Sequence, residues 1–561
     1  MADLPMIPQC GPAFYELMRN RYPGWILGVV QSDHVRGVMH ALDLLGSESA
    51  EAGAAGCGLG WWTAARQPFD ADFLTRFAAF NAARPFLPET GRRFFETLSS
   101  RLGDLPEEDR ELWQAVMQEG DTKYAIKFLM PRLATPMGLS WLGHCWDGLL
   151  RFGSVSLIEA ALAGLALDEA LAPLMPRLRA EAAFHYESFE SALKAVDTVD
   201  PGVWGFWPAY HRAELLIRAG ETDEGSALLA ELVERMPWHP NLALKLDALR
   251  NPLPLASAPE QGDVAILAYS WNKADLLADT LESLRQSDIG SARIFLLDNG
   301  STDHMQDVFS RAGEWFGDRL HRVTLPVNIG APPARNWLLS LPEVRACRWA
   351  AFLDDDVILP GDWLRRLLGA AGMKADAGVV GCRITASTPP YGLQSADYNL
   401  LPIPPDPGGP GEFPRRINIF DSCAGALDDG LFTYNRPCLS VSGCCHMVSL
   451  KAVKKAGDFD VRFNPSQFDD LERDLRSALH GMPAVYCGSL AIRHVQHSSL
   501  AKLPRRSRWA TSWATSTNLR PSTKTRRPSS WPRWTWNCSG AASMTRFEDW
   551  TFGPTGLNFR A

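Results

Sequence analysis

The sequence predicts an α/β protein in two parts, an all-α, repeat-like domain over residues 1–250 and a domain built on a parallel sheet from residue 264 onward. Three observations predict this. Apolar residues recur at helical spacing through the first 250 positions, the Pro- and Ser-containing text of 251–263 breaks that period as a linker, and short apolar runs then alternate with helical segments. A chain of 561 residues, 46% hydrophobic and 21% charged, has material for at least two cores, which excludes a disordered or fibrous protein.

In the first part, helical spacing is clear from Ser154 to Leu165 and from Arg212 to Arg235. The text from Ser191, "SALKAVDTVDPGVWGFWPAYHRAELLIRAGETDEGSALLAELVERMPWHPNLALKLDAL", reads as helices separated by turns, with Pro240 opening a further helix. This stretch resembles tetratricopeptide repeats, most clearly over 191–250. An irregular helical bundle is the alternative, because an isolated repeat cannot bury its own face. Either reading gives the domain a docking role toward a partner protein or an acceptor. Trp61, Trp62, Trp204, Phe206, Trp207 and Tyr210 could line a groove, although aromatics at such spacing more often form core.

In the second part, Val264 to Ala268 and Arg293 to Leu297 are short apolar runs that flank the helical text "NKADLLADTLESLRQS". That is a β-α-β unit and predicts parallel pairing. Further strands are predicted at Arg322 to Pro326, Trp349 to Leu353 and Ala377 to Cys382, with "PPARNWLLSL" as a helix between the first two. Eight prolines from Pro389 to Pro414 mark a long irregular insertion, a candidate lid or acceptor loop.

The chemistry concentrates in "RWAAFLDDDVILPGDWL", where a buried strand runs out into Asp354, Asp355 and Asp356. Adjacent carboxylates repel, and a hard divalent ion with oxygen ligands is their natural compensation; a solvated turn or helix cap is the plain alternative. Asp298 and Asn299 in "LLDNGSTD" close the second strand, at the crevice where open α/β sheets bind nucleotides. Asp469 and Asp470 in "QFDDLERDLR" sit where a loop enters a helix, placed to take a proton.

With "ILAYSWNKADLL", "NIGAPPARN" and "SGCCHMVSLKAVKKAGDFD", these motifs follow one another in a fixed order from Val264 to about Ser499. The region resembles the family 2 glycosyltransferases of the GT-A fold, a Rossmann-like nucleotide-diphospho-sugar transferase architecture spanning about 264–500. The resemblance implies that Ala268, Tyr269, Asn272, Asp298, Asn299, Arg335, Asp354 and Asp355 form the nucleotide-sugar pocket. It implies that Asp356 and His494 hold a divalent metal, Mn²⁺ or Mg²⁺, with His497 a poorer alternative to His494. It also implies that Asp469 and Asp470 are the catalytic pair, with Asp470 as base. Two departures stand out: "AYSWNK" offers Tyr269 or Trp271 at the aromatic position, and the acidic pair is Asp-Asp where the family has Glu-Asp.

The resemblance therefore implies a metal-dependent, inverting transfer of a sugar from a nucleoside-diphosphate donor, a UDP-sugar first among them, to an acceptor hydroxyl, as in bacterial-type glycan or glycoconjugate synthesis. A catalytically inactive helical-repeat scaffold that retains a GT-A-like domain is the rival. A nucleotidyltransferase would be expected to carry a Gly-rich phosphate loop after the first strand, and "AYSWNKAD" has none.

The remaining features bound partners and place. A net charge of -8 argues against a dedicated nucleic-acid binder. The start lacks a basic segment leading into an apolar run, and no long charge-free apolar stretch follows, so a cytoplasmic chain is expected, at most peripheral to the inner face of a membrane. Eleven scattered cysteines fit reduced thiols, and Cys444-Cys445 reads as buried packing. From 501 to 561 the composition shifts abruptly, with six of the chain's 20 Trp and 11 Lys+Arg against two acidic residues. Shifting the frame by one base turns "WTWNC" (Trp534 to Cys538) into ordinary amphipathic helix text, so this tail is expected to be a disordered frameshift product.

Overall fold

In the computed structural model of the chain, residues 12–21, 25–401, 418–423, 425–495, 550–553 and 556–559 are described, and the structural statements below concern these. They divide into two compact units. The first comprises Met1–Arg250 with Thr388–Gly392 and Leu427–Leu431; the second comprises Asn251–Ser387, Leu393–Ala426 and Phe432–Ala561. The central part of the Pro-rich insertion, 402–417, and His497 lie outside the described residues, as does the predicted tail apart from a small antiparallel pair, Trp550–Gly553 with Gly556–Phe559.

The first unit is helical from Pro12–Arg21 to Pro240–Arg250. Its helices start where short polar side chains satisfy free amides: Ser49 accepts from the Ala52 N–H, Asp70 from Phe73 and Ser154 from Leu157. The helical period of 212–235 is interrupted at Gly220, which closes helix Trp207–Ala219 in the left-handed region (φ 93°) before Thr222–Arg235 begins. Those two helices pack on each other, and the second packs on Pro240–Arg250. All six singled-out aromatics, from Trp61 to Tyr210, are buried, and the Trp61 indole donates to the Val203 carbonyl at 2.8 Å. They form core.

A polar network runs through this core. Fully buried Arg177 donates to the Ala65 carbonyl and to Glu181, with its guanidinium 3.7 Å from the Trp207 ring centroid. Lys245 Nζ binds Glu214 at 2.6 Å and the Gly430 carbonyl at 2.7 Å, and the Tyr210 hydroxyl donates to the Asp429 carbonyl at 3.0 Å. Asp429 forms an ion pair with Arg66. Burial penalises the Asp429 carboxylate, but Arg66 and His211 outweigh it and bring the group down to about 2. Removing one partner of such a pair strands a buried charge, so Asp429→Ala is expected to cost about 3–5 kcal/mol. Urea denaturation read by far-ultraviolet circular dichroism checks it.

The second unit is built on one ten-stranded sheet. Its strands are β1 (Val264–Ser270), β2 (Arg293–Asp298), β3 (Leu320–Thr324), β4 (Trp349–Leu353), β5 (Val357–Ile358), β6 (Val379–Ala386), β7 (Leu393–Ser395), β10 (Asn435–Cys438), β12 (Cys445–Ser449) and β13 (Ala484–His494). A smaller sheet holds β8 (Asp397–Leu401), β9 (Asn418–Asp421) and β11 (Ser440–Val441). The main order is β10-β13-β6-β12-β4-β1-β2-β3. Strands β3, β2, β1 and β4 are parallel; β12 then inserts antiparallel between β4 and β6. Strands β1, β2 and β4 are almost wholly buried, as near-continuous apolar runs require in a sheet covered on both faces. Every parallel strand therefore delivers its carboxyl end to the same edge, and that edge carries the site.

Candidate functional site

Strand β1 ends at Ser270 and the chain turns through Asn272, which adopts φ 54°, a conformation Asn tolerates better than most residues. The Asn272 side-chain oxygen accepts from the Thr302 backbone amide at 2.7 Å, and the Asn272 backbone N–H donates to Ser301 Oγ, which ties this turn to the loop after β2. Asp298 holds that loop from beneath. One oxygen accepts from the Ser301 N–H at 2.8 Å and the other from Gln306 at 2.9 Å. Asn299 clamps the next loop, accepting from Ile329 N–H and donating to Asn328. Both residues are buried, and within the described residues their polar atoms shape loops.

At the end of β4 the three carboxylates separate by environment. Asp355 accepts from Ser270 Oγ at 2.7 Å and from Lys273 Nζ at 2.9 Å. Burial pushes its carboxyl up to about 6, with Lys273 and Ser270 opposing the rise. Asp356 lies 2.8 Å from His494 Nε2 and 3.3 Å from Lys273 Nζ. Burial disfavours its charge, yet His494 and Lys273 bring it down to about 2. Asp354 is the most open of the three, with its side chain 27% exposed, 3.8 Å from His494 Nε2 and 3.9 Å from Arg335. Its backbone amide donates to the Cys444 carbonyl at 2.9 Å, which brings the start of β12 alongside. Asp354, Cys444 and His494 each offer a ligand atom, all within 4.8 Å of one another.

On the other side stands the helix Asp469–Leu479. Gln467 (φ 82°) and Phe468 (φ 64°) enter it in the left-handed region, a strained approach that sets both carboxylates in the first turn, where the helix dipole favours negative charge. Asp469 is buried and paired with Arg335 at 2.6 Å. Burial works against the Arg335 charge, but Asp469, with Tyr269, Asp354 and Asp470, outweighs it and holds the guanidinium well above its ordinary value. Asp470 is half-buried and accepts from the Gly443 N–H at 2.8 Å. A Cβ at 443 would lie 2.6 Å from Asp470 Oδ2, so a side chain there would displace the Asp470 carboxylate. Tyr269 places its ring 5.6 Å from the Arg335 guanidinium, whereas Trp271 is 41% exposed. Ala268 lies buried in β1 beside Leu353 of β4.

The described residues thus bring Asp354, Asp355, Asp356, Arg335, Tyr269, Asp469 and His494 to one end of the sheet. The family model for glycosyl transferase family 2 matches residues 265–432. This chain carries a family 2 glycosyltransferase domain. The chain is 33% identical over 93 residues to TuaG of Bacillus subtilis (strain 168), described as a teichuronic acid biosynthesis glycosyltransferase. That alignment covers 17% of this chain and 35% of TuaG, so the chain spans about a third of the length of the curated relative it matches. Among solved structures, it is similar to S. aureus TarS, at 14% identity, covering 41% of this chain and 36% of that one with a TM-score of 0.29. It is also similar to the mannosyltransferase PcManGT of Pyrobaculum calidifontis in complex with GDP-Man and Mn²⁺, at 15% identity, covering 55% and 84% of the two chains with a TM-score of 0.31.

The same end of the sheet also holds residues that sequence reasoning passed over. Lys273 supplies a fixed cation to two of the three carboxylates; its signal was its place directly after Asn272 in the first motif. Gln394 carries no comparable signal. Its amide oxygen lies 2.6 Å from His494 Nδ1, and its amide nitrogen donates to the His494 carbonyl at 3.1 Å. Cys445 is packed in the core as expected, but Cys444 is only partly buried and its thiol faces Asp354.

Within the same helix, buried Asp474 accepts from Ser440 Oγ at 2.7 Å, and burial pushes its carboxyl up to about 7 from an ordinary 3.8, with Arg473 and Ser440 opposing. The folded value lies above the unfolded one, so between 3.8 and about 7 the folded protein holds more protons than the unfolded chain. Stability from this group is therefore full below that window and falls as pH rises through it, by up to about 1.4 kcal/mol per pH unit. Asp474→Asn is expected to flatten that slope, read from urea midpoints at pH 5, 6, 7 and 8.

Proposed function

We propose that this chain transfers a sugar from a nucleoside-diphosphate sugar to an acceptor hydroxyl with inversion at the anomeric carbon. The observation that carries the reading is the pairing of roles at the sheet edge: a paired, buried Asp469 beside a half-buried Asp470, facing a cluster of carboxylates with their own fixed cation. Arg335 occupies Asp469 and leaves Asp470 as the carboxylate able to accept a proton from an acceptor hydroxyl. The Gly443 amide and the strained entry at Gln467 and Phe468 hold Asp470 in place for that transfer. Tyr269 and Arg335 border the donor side, and Asn272, Asp298 and Asn299 shape the loops around the nucleotide.

The donor set fits a divalent ion. His494 Nε2 lies within 4 Å of both Asp354 and Asp356, while Lys273 neutralises Asp355, so Asp354, Asp356 and His494 are the residues that would hold the metal. When bound, the ion would neutralise charge developing on the departing diphosphate. Lys273 supplies part of that positive charge from the chain itself. Either Mn²⁺ or Mg²⁺ suits the oxygen ligands. The helical unit is assigned to docking an acceptor or a partner protein, and the setting to glycan or glycoconjugate synthesis at the cytoplasmic side. No helix among the described residues is long and apolar enough to cross a membrane.

A thermal-shift screen of UDP-, GDP- and dTDP-sugars, with and without Mn²⁺ or Mg²⁺, tests the reading. One nucleotide class is expected to raise the melting temperature in a metal-dependent way, because ligand that binds only the folded state stabilises it by mass action. No stabilisation by any donor would favour the inactive-scaffold alternative.

A further inference from the structure

We infer that Cys444 is a thiolate ligand of the divalent ion, and that the site therefore prefers a thiophilic cation of the Co²⁺ and Zn²⁺ class to Mg²⁺. The inference rests on the metal site assigned above and adds to it a donor of different chemistry. Three separate segments meet here: the end of β4 brings Asp354, the approach to β12 brings Cys444, and the end of β13 brings His494. Cys444 Sγ lies 3.9 Å from His494 Nε2, and that nitrogen lies 3.8 Å from Asp354 Oδ2. Atoms so spaced can surround one ion at about 2.0–2.3 Å, the range of nitrogen, oxygen and sulfur ligation.

The orientation of His494 is a second, independent observation. The Gln394 side-chain nitrogen donates to the His494 backbone carbonyl, which leaves the amide oxygen facing His494 Nδ1. Nδ1 must then carry a hydrogen, which leaves Nε2 as the nitrogen available to an ion; without one, Nε2–H donates to Asp356 at 2.8 Å, and ligation replaces that hydrogen. An outer hydrogen bond that fixes the tautomer in this way is how metal-binding imidazoles are commonly held. The Asp354 amide to Cys444 carbonyl bond fixes the distance between the other two donors through backbone. An all-oxygen site would suit Mg²⁺; one sulfur and one imidazole shift the preference toward softer ions. On ligation the Cys444 S–H and His494 Nε2–H bonds break, each electron pair goes to the ion, and the two protons are released to buffer.

The test titrates the full-length protein with Co²⁺ and follows absorbance. The wild type is expected to develop a near-ultraviolet sulfur-to-cobalt charge-transfer band. Cys444→Ser is expected to lose that band and at least about tenfold in Co²⁺ affinity, while Cys347→Ser, remote from the site, keeps both. Co²⁺, but not Mg²⁺, is expected to protect Cys444 from alkylation, located by peptide mass spectrometry; this arm needs no variant and stands if Cys444→Ser melts early. Bound Co²⁺ without the band, a band surviving Cys444→Ser, or equal protection by Mg²⁺ would overturn the inference. Failure here leaves the transferase reading intact wherever a nucleotide-sugar still stabilises the protein in Mg²⁺. A cobalt band without any donor binding would sink that reading and keep the thiolate.

Discussion

Asp470→Asn is expected to lower kcat by about 10²- to 10⁴-fold, the usual contribution of a positioned general base. The amide is nearly the same shape, and its oxygen can still accept from the Gly443 N–H that holds Asp470 at 2.8 Å, so the helix start should survive. What is lost is the ability to take a proton. The fall should appear in kcat with little change in the KM for the nucleotide-sugar, because the proposed base acts on the acceptor hydroxyl and not on the donor. Sugar transfer measured by product mass, alongside a thermal melt, separates lost chemistry from lost fold. Wild-type turnover in a well-folded Asp470→Asn protein would remove the base assignment. Asp469→Asn should behave differently: it strands the buried Arg335 guanidinium and should lower stability as well as rate.

Asp356→Ala is expected to cost at least about 10²-fold in kcat/KM, because it removes a proposed ligand of the ion that would neutralise the departing diphosphate. Asp356 is charged throughout the working pH range, since His494 and Lys273 bring it down to about 2 against the penalty of burial. Its loss leaves His494 with Asp354 as the nearest acid and leaves Lys273 with Asp355 alone. Donor affinity in the presence of Mn²⁺ should fall with activity, whereas affinity without metal should change little. Equal donor binding by the two proteins at saturating Mn²⁺ would place the ion elsewhere.

The parts of the fold legible in the sequence were those whose burial leaves a mark on composition. Strands β1, β2 and β4 are buried on both faces, so their text is apolar from end to end, and the helix Ala274–Arg285 shows its period between the first two. Strand β3 begins two residues before the expected Arg322 because its half-exposed pattern blurs the edges. Nothing in the text discloses that β12 runs antiparallel between β4 and β6, since pairing partners leave no local trace. Strand β13, eleven residues long with a break in register after Cys487, likewise escapes a search for short bounded runs.

The site shows the same division. Runs of carboxylates after a buried strand or at a helix start are conspicuous, because repulsion makes them costly without a reason. A lysine at a helix start reads as solvated, yet Lys273 is folded back onto Asp355. A cysteine beside a packed cysteine reads as core, yet Cys444 lies in the turn before β12 and stays partly exposed, while Cys445 opens the strand and is buried.

The helical unit takes its last structural pieces from residues more than a hundred positions beyond its final helix. A polypeptide cut after Arg250 would keep every helix of that unit and lack the acceptors that Arg66 and Lys245 bind at Asp429 and Gly430. Such a fragment would keep the Lys245–Glu214 pair and leave Arg66 without its carboxylate, so anyone wishing to isolate the amino-terminal half should supply 427–431 with it.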